Sequence, residues 1–390
     1  VRALMVLVAQ QAKPRILAIS HKLGGGAQQH VDELAAFYQD QALFLQITPD
    51  RDGQSVTLSL FDGGRRLKDG LYFDVDREYE QLLALLRGLG LARVHFHHTM
   101  GLHPRLWLLG RELDCPYDLT IHDYFLINGY PTLTDKDARY VCDSADDFDE
   151  RCAGHYPLPE GVDGATWRAN QQLLVENAER VIFPSADCGR RFQHFFNVKQ
   201  PVVAWHPDYL LSQPYPAPRG PNGDAQPLKV LVMGAISREK GADVLEQVAV
   251  SLADREVEFH LLGYAYRALA EQVITHGPYS NDDAYELVEA IAPDVIWYPA
   301  LWPETYSYTL SVALHMGLPV VVPDIGAFVE RVAGRPLSFV CPWDRPVSEW
   351  HDFWRGLRES MAAPGAVQPP GSGATPAVPD QFYREGYLQA

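Results

Sequence analysis

Positive charge, cysteine and long apolar runs are all scarce in this 390-residue chain. Lys and Arg number 33 against 50 Asp and Glu, a net charge of -17 that argues against a nucleic-acid partner, because phosphate binding needs a basic surface. The cysteines are odd in number and predict no disulfide framework, which favours a reducing cytoplasm; they are Cys115, Cys142, Cys152, Cys188 and Cys341. No apolar run reaches the ~18–20 residues that span a bilayer.

The length and composition predict a soluble globular chain with two domains. At 390 residues the chain exceeds what one hydrophobic core organises, and 47% hydrophobic with 21% charged residues excludes extensive disorder. The opening segment, residues 1–9, is apolar but short and lacks a small-residue cleavage site, so we do not expect a signal peptide. The sequence starts at Val1 rather than Met, which leaves open that it belongs to a longer protein.

Short apolar runs alternate with amphipathic stretches, which predicts parallel sheets covered by helices. In the first half the predicted strands are Arg15–Ser20, Leu43–Thr48, Val94–His97, Tyr117–His122 and Arg180–Pro184, with helices at Gln28–Tyr38 and Tyr79–Gly88. In the second half they are Leu228–Met233, Glu258–Leu262, Asp294–Tyr298, Leu318–Pro323 and Leu337–Cys341, with helices at Ala242–Leu252, Asp282–Ala292, Tyr306–His315, Ala327–Val332 and Ser348–Met361. The expected fold class is α/β with doubly wound, Rossmann-like sheets.

Proline and glycine mark the expected domain boundaries. Because residues 205–227 are rich in both and show little periodicity, we expect a first domain over 1–205, a linker over 206–227 and a second domain over 228–361. A Pro/Gly-rich segment from Ala362 to Asp380 follows, and residues 362–390 form a separate C-terminal segment.

Turns that directly follow strands are the candidate sites, because ligands of open α/β sheets bind beyond the carboxyl ends of the strands. The first such turn is Gly24-Gly25-Gly26, where amides approach an anion at a helix start, although a tight turn without a ligand explains it equally well. The second contains Arg238 and Lys240, which are suited to neutralise a diphosphate, with a solvated loop as the alternative.

The third turn runs from Trp302 to Thr309 and opens another predicted helix. Its free amides favour an anion, and Glu304 is placed to accept hydrogen bonds from sugar hydroxyls. Capping of the helix is the alternative role for Glu304.

These three turns together resemble the motifs of family 4 of retaining glycosyltransferases, which have the GT-B architecture. Pro303 to Gly326 is similar to the family's Glu-x7-Glu block, Gly234 to Gly241 to its phosphate loop, and Gly24–Gly26 with His30 to its N-terminal glycine loop. Thr120 to Phe125, with Tyr140, Cys142, Cys152 and Trp167, is similar to a subgroup that acts in bacterial O-antigen and capsule synthesis.

The resemblance implies two Rossmann-like domains facing a central cleft, with Tyr383 and Tyr387 in a segment that crosses back to the first domain. It implies a cytoplasmic, hexosyltransferase-like enzyme that acts with retention and without a metal. The implied substrates are a nucleoside diphosphate sugar and a glycan or lipid-linked glycan acceptor. Peripheral association with a membrane assembly is a further expectation.

The resemblance also implies roles for individual residues. Lys240, with Arg238, would hold the donor diphosphate, Glu304 would bond the sugar hydroxyls, and His122 would reach the sugar from the first domain. The remaining implied donor contacts are Gly24, Gly25, Gly26, Gly234, Tyr306, Ser307, Tyr308 and Thr309.

Two positions depart from the family's pattern. The second Glu of the block, which contacts the ribose in the family, is Val312, and the usual phosphate-binding Arg after Gly234 is Ala235. These departures favour an alternative hypothesis, a GT-B domain without turnover that serves as a binding or scaffolding module. A dinucleotide oxidoreductase is disfavoured because the glycine spacing does not fit.

Three further groups of residues contain types of side chain that bind metals. His95, His97 and His98 end a predicted strand, but without a visible partner set a structural or acceptor-side role is favoured. Cys142, Cys152 and His155 suggest zinc, with a degenerate remnant as the favoured interpretation, and the acidic run over residues 146–150 is expected to be a solvated loop. A hydrolase dyad at His122-Asp123 lacks a G-x-S-x-G partner.

Overall fold

The computed structural model describes residues 8, 12–51, 53–208, 215–220, 227–252, 256–362 and 382–389. It divides into two compact units. Unit 1 comprises Val1–Gly129, Glu160–Leu211 and Pro379–Ala390, and unit 2 comprises Tyr130–Pro159 and Ser212–Val378. The predictions for residues 1–9, for much of the linker 206–227 and for the segment after Ala362 fall largely outside the described residues.

Unit 1 is built around one predominantly parallel sheet. Its strands are β1 (Arg15–Ile19), β2 (Leu43–Pro49), β3 (Ser55–Asp62), β4 (Arg65–Arg66), β5 (Leu71–Asp74), β6 (Arg93–Phe96), β7 (Tyr117–Thr120), β8 (Arg180–Phe183) and β9 (Pro201–Val203). They lie in the order β4-β3-β2-β1-β6-β7-β8-β9, with β5 also pairing with β3. Neighbouring strands in the run β2-β1-β6-β7-β8-β9 are parallel. Strand β3 is antiparallel to β2, β4 and β5.

The helices of unit 1 follow its strands, as a doubly wound sheet requires. They are α1 (Gly25–Phe37), α2 (Val75–Leu89), α3 (Leu109–Glu112), α4 (Phe125–Asn128), α6 (Gly164–Glu176) and α7 (Ala186–Phe195), while α5 (Phe148–His155) lies in unit 2. A 3₁₀ turn at Pro104–Leu108 and a π-helical turn at Phe382–Gly386 complete the set that the described part of the chain contains. The side chains of Asp74, Asp163 and Ser185 cap α2, α6 and α7, whereas the N-cap residue of α1 is Gly24, which has no side chain to cap it.

Unit 2 contains a fully parallel sheet. Its strands are β10 (Leu228–Ile236), β11 (Val257–Ala265), β12 (Val273–Gly277), β13 (Val295–Trp297), β14 (Val320–Pro323) and β15 (Ser338–Cys341). Its later helices are α8 (Ala242–Ser251), α9 (Ala284–Ile291), α10 (Tyr308–His315), α11 (Ala327–Arg331) and α12 (Val347–Ala362). The strand order β12-β11-β10-β13-β14-β15 is that of a Rossmann sheet.

Each unit has its own apolar core. In unit 2, Trp297 of β13 packs against Trp350 and Trp354 of α12, with ring centroids 4.8 and 5.1 Å apart. In unit 1, Tyr383 and Tyr387 are buried against residues of α1 and β8, so the C-terminal segment belongs to that core.

Residues 130–159 differ from the expected domain bounds, because they group with unit 2 rather than with the first half of the chain. Hydrogen bonds account for the difference. The amide of Tyr140 donates to the carbonyl of Leu301 at 2.9 Å, and the hydroxyl of Tyr156 donates to Glu239 at 3.3 Å. A segment expected to complete the first domain is therefore held by loops of the second sheet.

Candidate functional site

The strand order of unit 2 defines where a ligand would bind. The sheet changes direction between β10 and β13, which are hydrogen-bonded neighbours, and ligands of such sheets bind beyond the strands' carboxyl ends at this point. Two loops leave from there: residues 237–241 after β10 and residues 298–307 after β13. These are two of the three turns that the sequence singled out.

Lys240 and Glu304 meet at this edge. The ammonium nitrogen of Lys240 lies 3.6 Å from Oε1 of Glu304, so residues far apart in sequence form an ion pair. The side chain of Lys240 is 43% exposed and that of Glu304 11%, which leaves the cation accessible while the carboxylate is largely enclosed. Glu304 does not cap α10, because Ser307 is the N-cap residue and no side chain caps this helix.

Glycine at position 241 lets the two loops approach each other. Gly241 has φ +84°, and a Cβ there would lie 2.0 Å from the carbonyl oxygen of Pro299. The amide of Leu301 donates to the carbonyl of Glu239 at 2.7 Å, which joins the same two loops. Any larger residue at position 241 would separate the loops that carry Lys240 and Glu304.

The first turn of α10 forms one wall of the site. Ser307 has a positive φ of 70°, which is unfavourable for a residue other than glycine, and Arg331 supports it. The guanidinium of Arg331 donates to the carbonyls of Tyr306 and Ser307 at 3.0 and 2.7 Å and lies over the Tyr306 ring. Sequence reasoning missed Arg331, because an Arg on a later helix carries no local signal for this contact.

Gly234 and Thr309 also come together here. Gly234, on β10, has φ +108°, and a Cβ at that position would lie 3.6 Å from the Thr309 methyl group. Tyr298 fixes the same turn through its hydroxyl, which donates to the carbonyl of Thr309 at 2.8 Å. Tyr308 is the first residue of α10, so Gly234 and residues 306–309 line one edge of the sheet.

Arg238 is oriented differently from Lys240. Its Nε lies 3.4 Å from Oδ2 of Asp243, and its Nη1 donates to the carbonyl of Lys136 at 3.3 Å. The side chain remains 42% exposed. Of the departures from the family pattern, Ala235 lies near the end of β10 and Val312 is half-buried on α10.

Glu239, between these two cations, is buried and had no predicted role. Its Oε1 accepts a hydrogen bond from the Tyr156 hydroxyl at 3.3 Å and lies 3.5 Å from Nε2 of His155. Both partners lie at the end of α5 or directly after it, so this helix supports the loop that carries Lys240. The only sequence feature that could have indicated this contact is that His155 and Tyr156 both carry polar groups able to pair with a carboxylate.

In unit 1 the glycine turn follows β1, next to β6 at the corresponding change of direction. Gly24 and Gly25 have φ of 76° and 70°, and no atom lies within 4 Å of where a Cβ would be. The backbone conformation, not crowding, therefore requires glycine there. Helix α1 begins at Gly25, three residues before the predicted start, and Gly26 lies within its first turn.

His122 lies in a group of histidines rather than alone. Nε2 of His122 is 3.4 Å from Nδ1 of His30 and 3.2 Å from Nδ1 of His97. Burial, together with neighbouring histidines, lowers the pKa of all three rings well below the usual value, so they are neutral at ordinary pH. Among the described residues these three form the one group that could hold a metal ion, and it contains neither Cys142 nor Cys152.

The neighbouring histidines are engaged in other contacts. His95 pairs through Nε2 with Thr120 and through Nδ1 with the Tyr387 hydroxyl, each at 2.8 Å. Nε2 of His98 lies 3.0 Å from Asp123. Burial acts to raise the pKa of Asp123, but His98 and the amide of Phe125 outweigh it, and the net pKa is lowered.

The architecture matches solved glycosyltransferases, although no protein-family model and no curated protein matches the sequence. HepE from Anabaena, solved with UDP and glucose, has a TM-score of 0.59 at 14% identity over 95% of each chain. Sucrose-phosphate synthase from Thermosynechococcus elongatus has 0.56 at 15% identity over 92% of each. The lipopolysaccharide outer core galactosyltransferase WaaB has 0.52 at 11% identity over 96% of each.

Structural similarity at such low sequence identity shows the fold alone. The chain has the GT-B fold with two Rossmann-like domains, which confirms the predicted fold class. Within the described ranges, no helix is both long enough and apolar enough to cross a bilayer.

Proposed function

We propose that this chain is a glycosyltransferase that takes a sugar from a nucleoside diphosphate sugar. The observation that carries the proposal is the 3.6 Å pair of Lys240 and Glu304 at the switch point of the second sheet. An accessible cation beside an enclosed carboxylate matches the two ends of such a donor, the anionic diphosphate and the hydroxylated sugar. HepE structures with UDP and UDP-glucose add support from the fold.

The chemistry that this arrangement suits is stabilisation of the leaving group. Breaking the bond between the sugar and the diphosphate places negative charge on the β-phosphate oxygens. Lys240 and the backbone amides at the start of α10 would meet that charge without reorganisation. Arg238 would add a second cation if its contact with Asp243 loosens.

The finer proposal follows the family resemblance. We assign retention of configuration, by attack of the acceptor hydroxyl on the face that the diphosphate leaves, and stabilisation of the anionic leaving group by cationic side chains rather than by a metal. The acceptor would be a glycan or lipid-linked glycan of a bacterial surface polysaccharide, reached from the cytoplasm through peripheral association with a membrane assembly. The sugar contact of His122 and the diphosphate clearance at Gly24–Gly26 belong to the same proposal.

A donor panel tests this function. Purified chain is incubated with UDP-, GDP-, ADP- and dTDP-sugars, and release of nucleoside diphosphate is measured with and without glycan acceptors. We expect turnover with one nucleotide class, and we expect Lys240→Ala to lower kcat/KM about 100- to 1,000-fold. Lys199→Ala, at an exposed position of unit 1, is the control and should match the parent.

Glu304→Gln separates the two ends of the donor. The amide of Gln keeps one accepting oxygen, replaces the other with a donor and loses the charge, so sugar discrimination should weaken while the nucleoside diphosphate alone binds as before. If Glu304→Gln and Lys240→Ala shift the melting temperature and nothing else, the pair is structural and the proposal fails.

Val312 and Ala235 favour a second candidate, a binding module without turnover. A valine cannot accept a hydrogen bond from a ribose hydroxyl, and an alanine cannot pair with phosphate. Absence of turnover across the panel, together with no thermal shift from any nucleoside diphosphate, would select this candidate over the enzyme.

A further inference from the structure

Three buried or half-buried histidines of unit 1 direct ring nitrogens at one another. His30 lies on α1, His97 directly follows β6, and His122 follows β7 by two residues. The two Nδ1 atoms of His30 and His97 lie 3.4 and 3.2 Å from Nε2 of His122, and one ligand atom from each residue falls within 4.8 Å of the others.

Hydrogen bonds alone satisfy this arrangement poorly. A neutral imidazole has one N–H and one lone pair, so Nε2 of His122 cannot pair fully with two nitrogens at once. The buried Nε2 atoms of His30 and His97 have no hydrogen-bond partner among the described residues. The nitrogens that face one another are the ones an ion would engage, because at least one of them lacks a full hydrogen bond in this arrangement, which is unfavourable in a buried position.

We propose that His30, His97 and His122 form a binding site for a divalent transition-metal ion, with Zn²⁺ the best match. Nitrogen ligands bind Zn²⁺ at about 2.0–2.1 Å, so the edges of a tetrahedral site are about 3.3 Å, close to the two nitrogen separations here. A set of imidazoles suits Zn²⁺, Co²⁺ or Ni²⁺, whereas Mg²⁺ and Ca²⁺ take oxygen ligands.

Space for a fourth ligand lies beside the cluster. A cavity of about 20 Å³, lined in part by His97, His98, His122 and Asp123, is large enough for one water molecule. An ion with three imidazoles and one water would join α1 to the ends of β6 and β7. Three adjacent segments of unit 1 would then be fixed by one group.

The site is distinct from the donor chemistry proposed above and does not depend on it. The cationic side chains of unit 2 would still stabilise the leaving diphosphate. Of the two ring nitrogens of His122, only Nε2 is assigned to the ion. The sugar contact assigned to His122 would have to use its other ring nitrogen. His95 is not a ligand, because both of its ring nitrogens already have partners.

Metal analysis tests the site on the intact chain. Protein loaded with Zn²⁺ and desalted should retain about one ion per chain, and His30→Gln or His97→Asn should retain less than about a tenth of that. His98→Asn alters a neighbour whose Nε2 pairs with Asp123, and His260→Gln removes one of two stacked histidines in unit 2. Both controls should keep the ion.

Cobalt gives a measurement that needs no variant. Co²⁺ bound to the parent chain should show the intense visible absorption of a tetrahedral nitrogen site, and one equivalent of Zn²⁺ should abolish it. A chelator should lower the melting temperature, and Zn²⁺ should restore it. Retention of no more than a tenth of an ion, or a weak octahedral cobalt spectrum, would overturn the site even if the ligand variants fail to fold.

Discussion

Arg180 donates two hydrogen bonds to the carboxylate of Asp118, from Nε at 2.8 Å and from Nη2 at 2.6 Å, across the neighbouring strands β7 and β8. Arg93, on β6, donates to the same carboxylate at 2.9 Å. Arg180 also donates to the carbonyls of Gly386 and Tyr387, at 2.9 and 3.0 Å. One buried carboxylate therefore links three strands of unit 1 with the C-terminal segment.

Asp118→Asn should destabilise unit 1 by about 3–5 kcal/mol, because two buried guanidinium groups lose their shared anion. Urea unfolding, followed by fluorescence and by hydrogen exchange of β7 and β8, measures the loss. Glu80→Gln removes the exposed partner of Arg105 and is the matched control, with an expected change below about 1 kcal/mol. A similar, small effect of both substitutions would show that the buried charges do not stabilise this sheet.

Arg331→Met should weaken donor binding without touching the donor. The carbonyls of Tyr306 and Ser307 lose their charged donor, so the positive φ of Ser307 is no longer supported and the first turn of α10 shifts. We expect the donor KM to rise about tenfold or more with a smaller change in kcat. Arg331 is thus a positioning residue.

Arg335→Met provides the comparison for that experiment. Arg335 is also largely enclosed, but it donates to the carbonyl of Leu318 and to Ser338 instead of residues 306–307. Its loss should lower the melting temperature and leave the donor KM unchanged. Equal KM values in both variants would mean that the α10 turn holds its shape unaided.

Val312→Glu should strengthen nucleotide binding. The position is half-buried on α10, so a glutamate there would stay partly open to solvent, and the family whose motifs the sequence resembles has a ribose-binding glutamate at this point of its pattern. A charge-assisted hydrogen bond predicts affinity for the nucleoside diphosphate about tenfold or more above that of the parent. Calorimetry measures it, and Val312→Gln shows how much of the gain needs the charge. An unchanged affinity would place the ribose elsewhere.

His260 should contribute to a loss of folding stability at acidic pH. Burial, and then the neighbouring His276, lowers the pKa of His260, so the folded state keeps this ring neutral where the unfolded chain takes up a proton. The free energy of unfolding therefore decreases as the pH falls below about 6.5. Denaturation at a series of pH values should give a shallower decline for His260→Gln than for the parent. Identical slopes would exclude this contribution.

Continuous apolar runs made most of the parallel strands predictable. β1, β10 and β14 are rich in Val, Ile and Leu because both faces of these strands are covered. β3 was missed, since Ser55–Asp62 alternates Ser and Thr with apolar residues and pairs antiparallel to β2. Its alternating pattern is typical of an antiparallel strand and not of the buried runs on which the prediction relied.

The parts of the candidate site that could be predicted are those whose charged side chains lie in turns directly after strands. Lys240 and Glu304 each occupy such a turn, and the structure brings them together, while their roles stay a prediction. Arg331 and the contact of Glu239 with His155 were not predictable, because both join segments remote in sequence. The histidine group was seen only in part, since His30 and His122 lie outside the His95–His98 run.

The C-terminal residues have a consequence for the order in which the chain can fold. Tyr383 and Tyr387 fill the interior of unit 1, yet the ribosome delivers them after every strand of unit 2. Until the C-terminal segment has been synthesised, Arg180 cannot form its hydrogen bonds to the carbonyls of Gly386 and Tyr387. His95 likewise lacks its partner, the hydroxyl of Tyr387. Unit 1 is therefore translated first, but its core can be completed only after the whole of unit 2 has been synthesised.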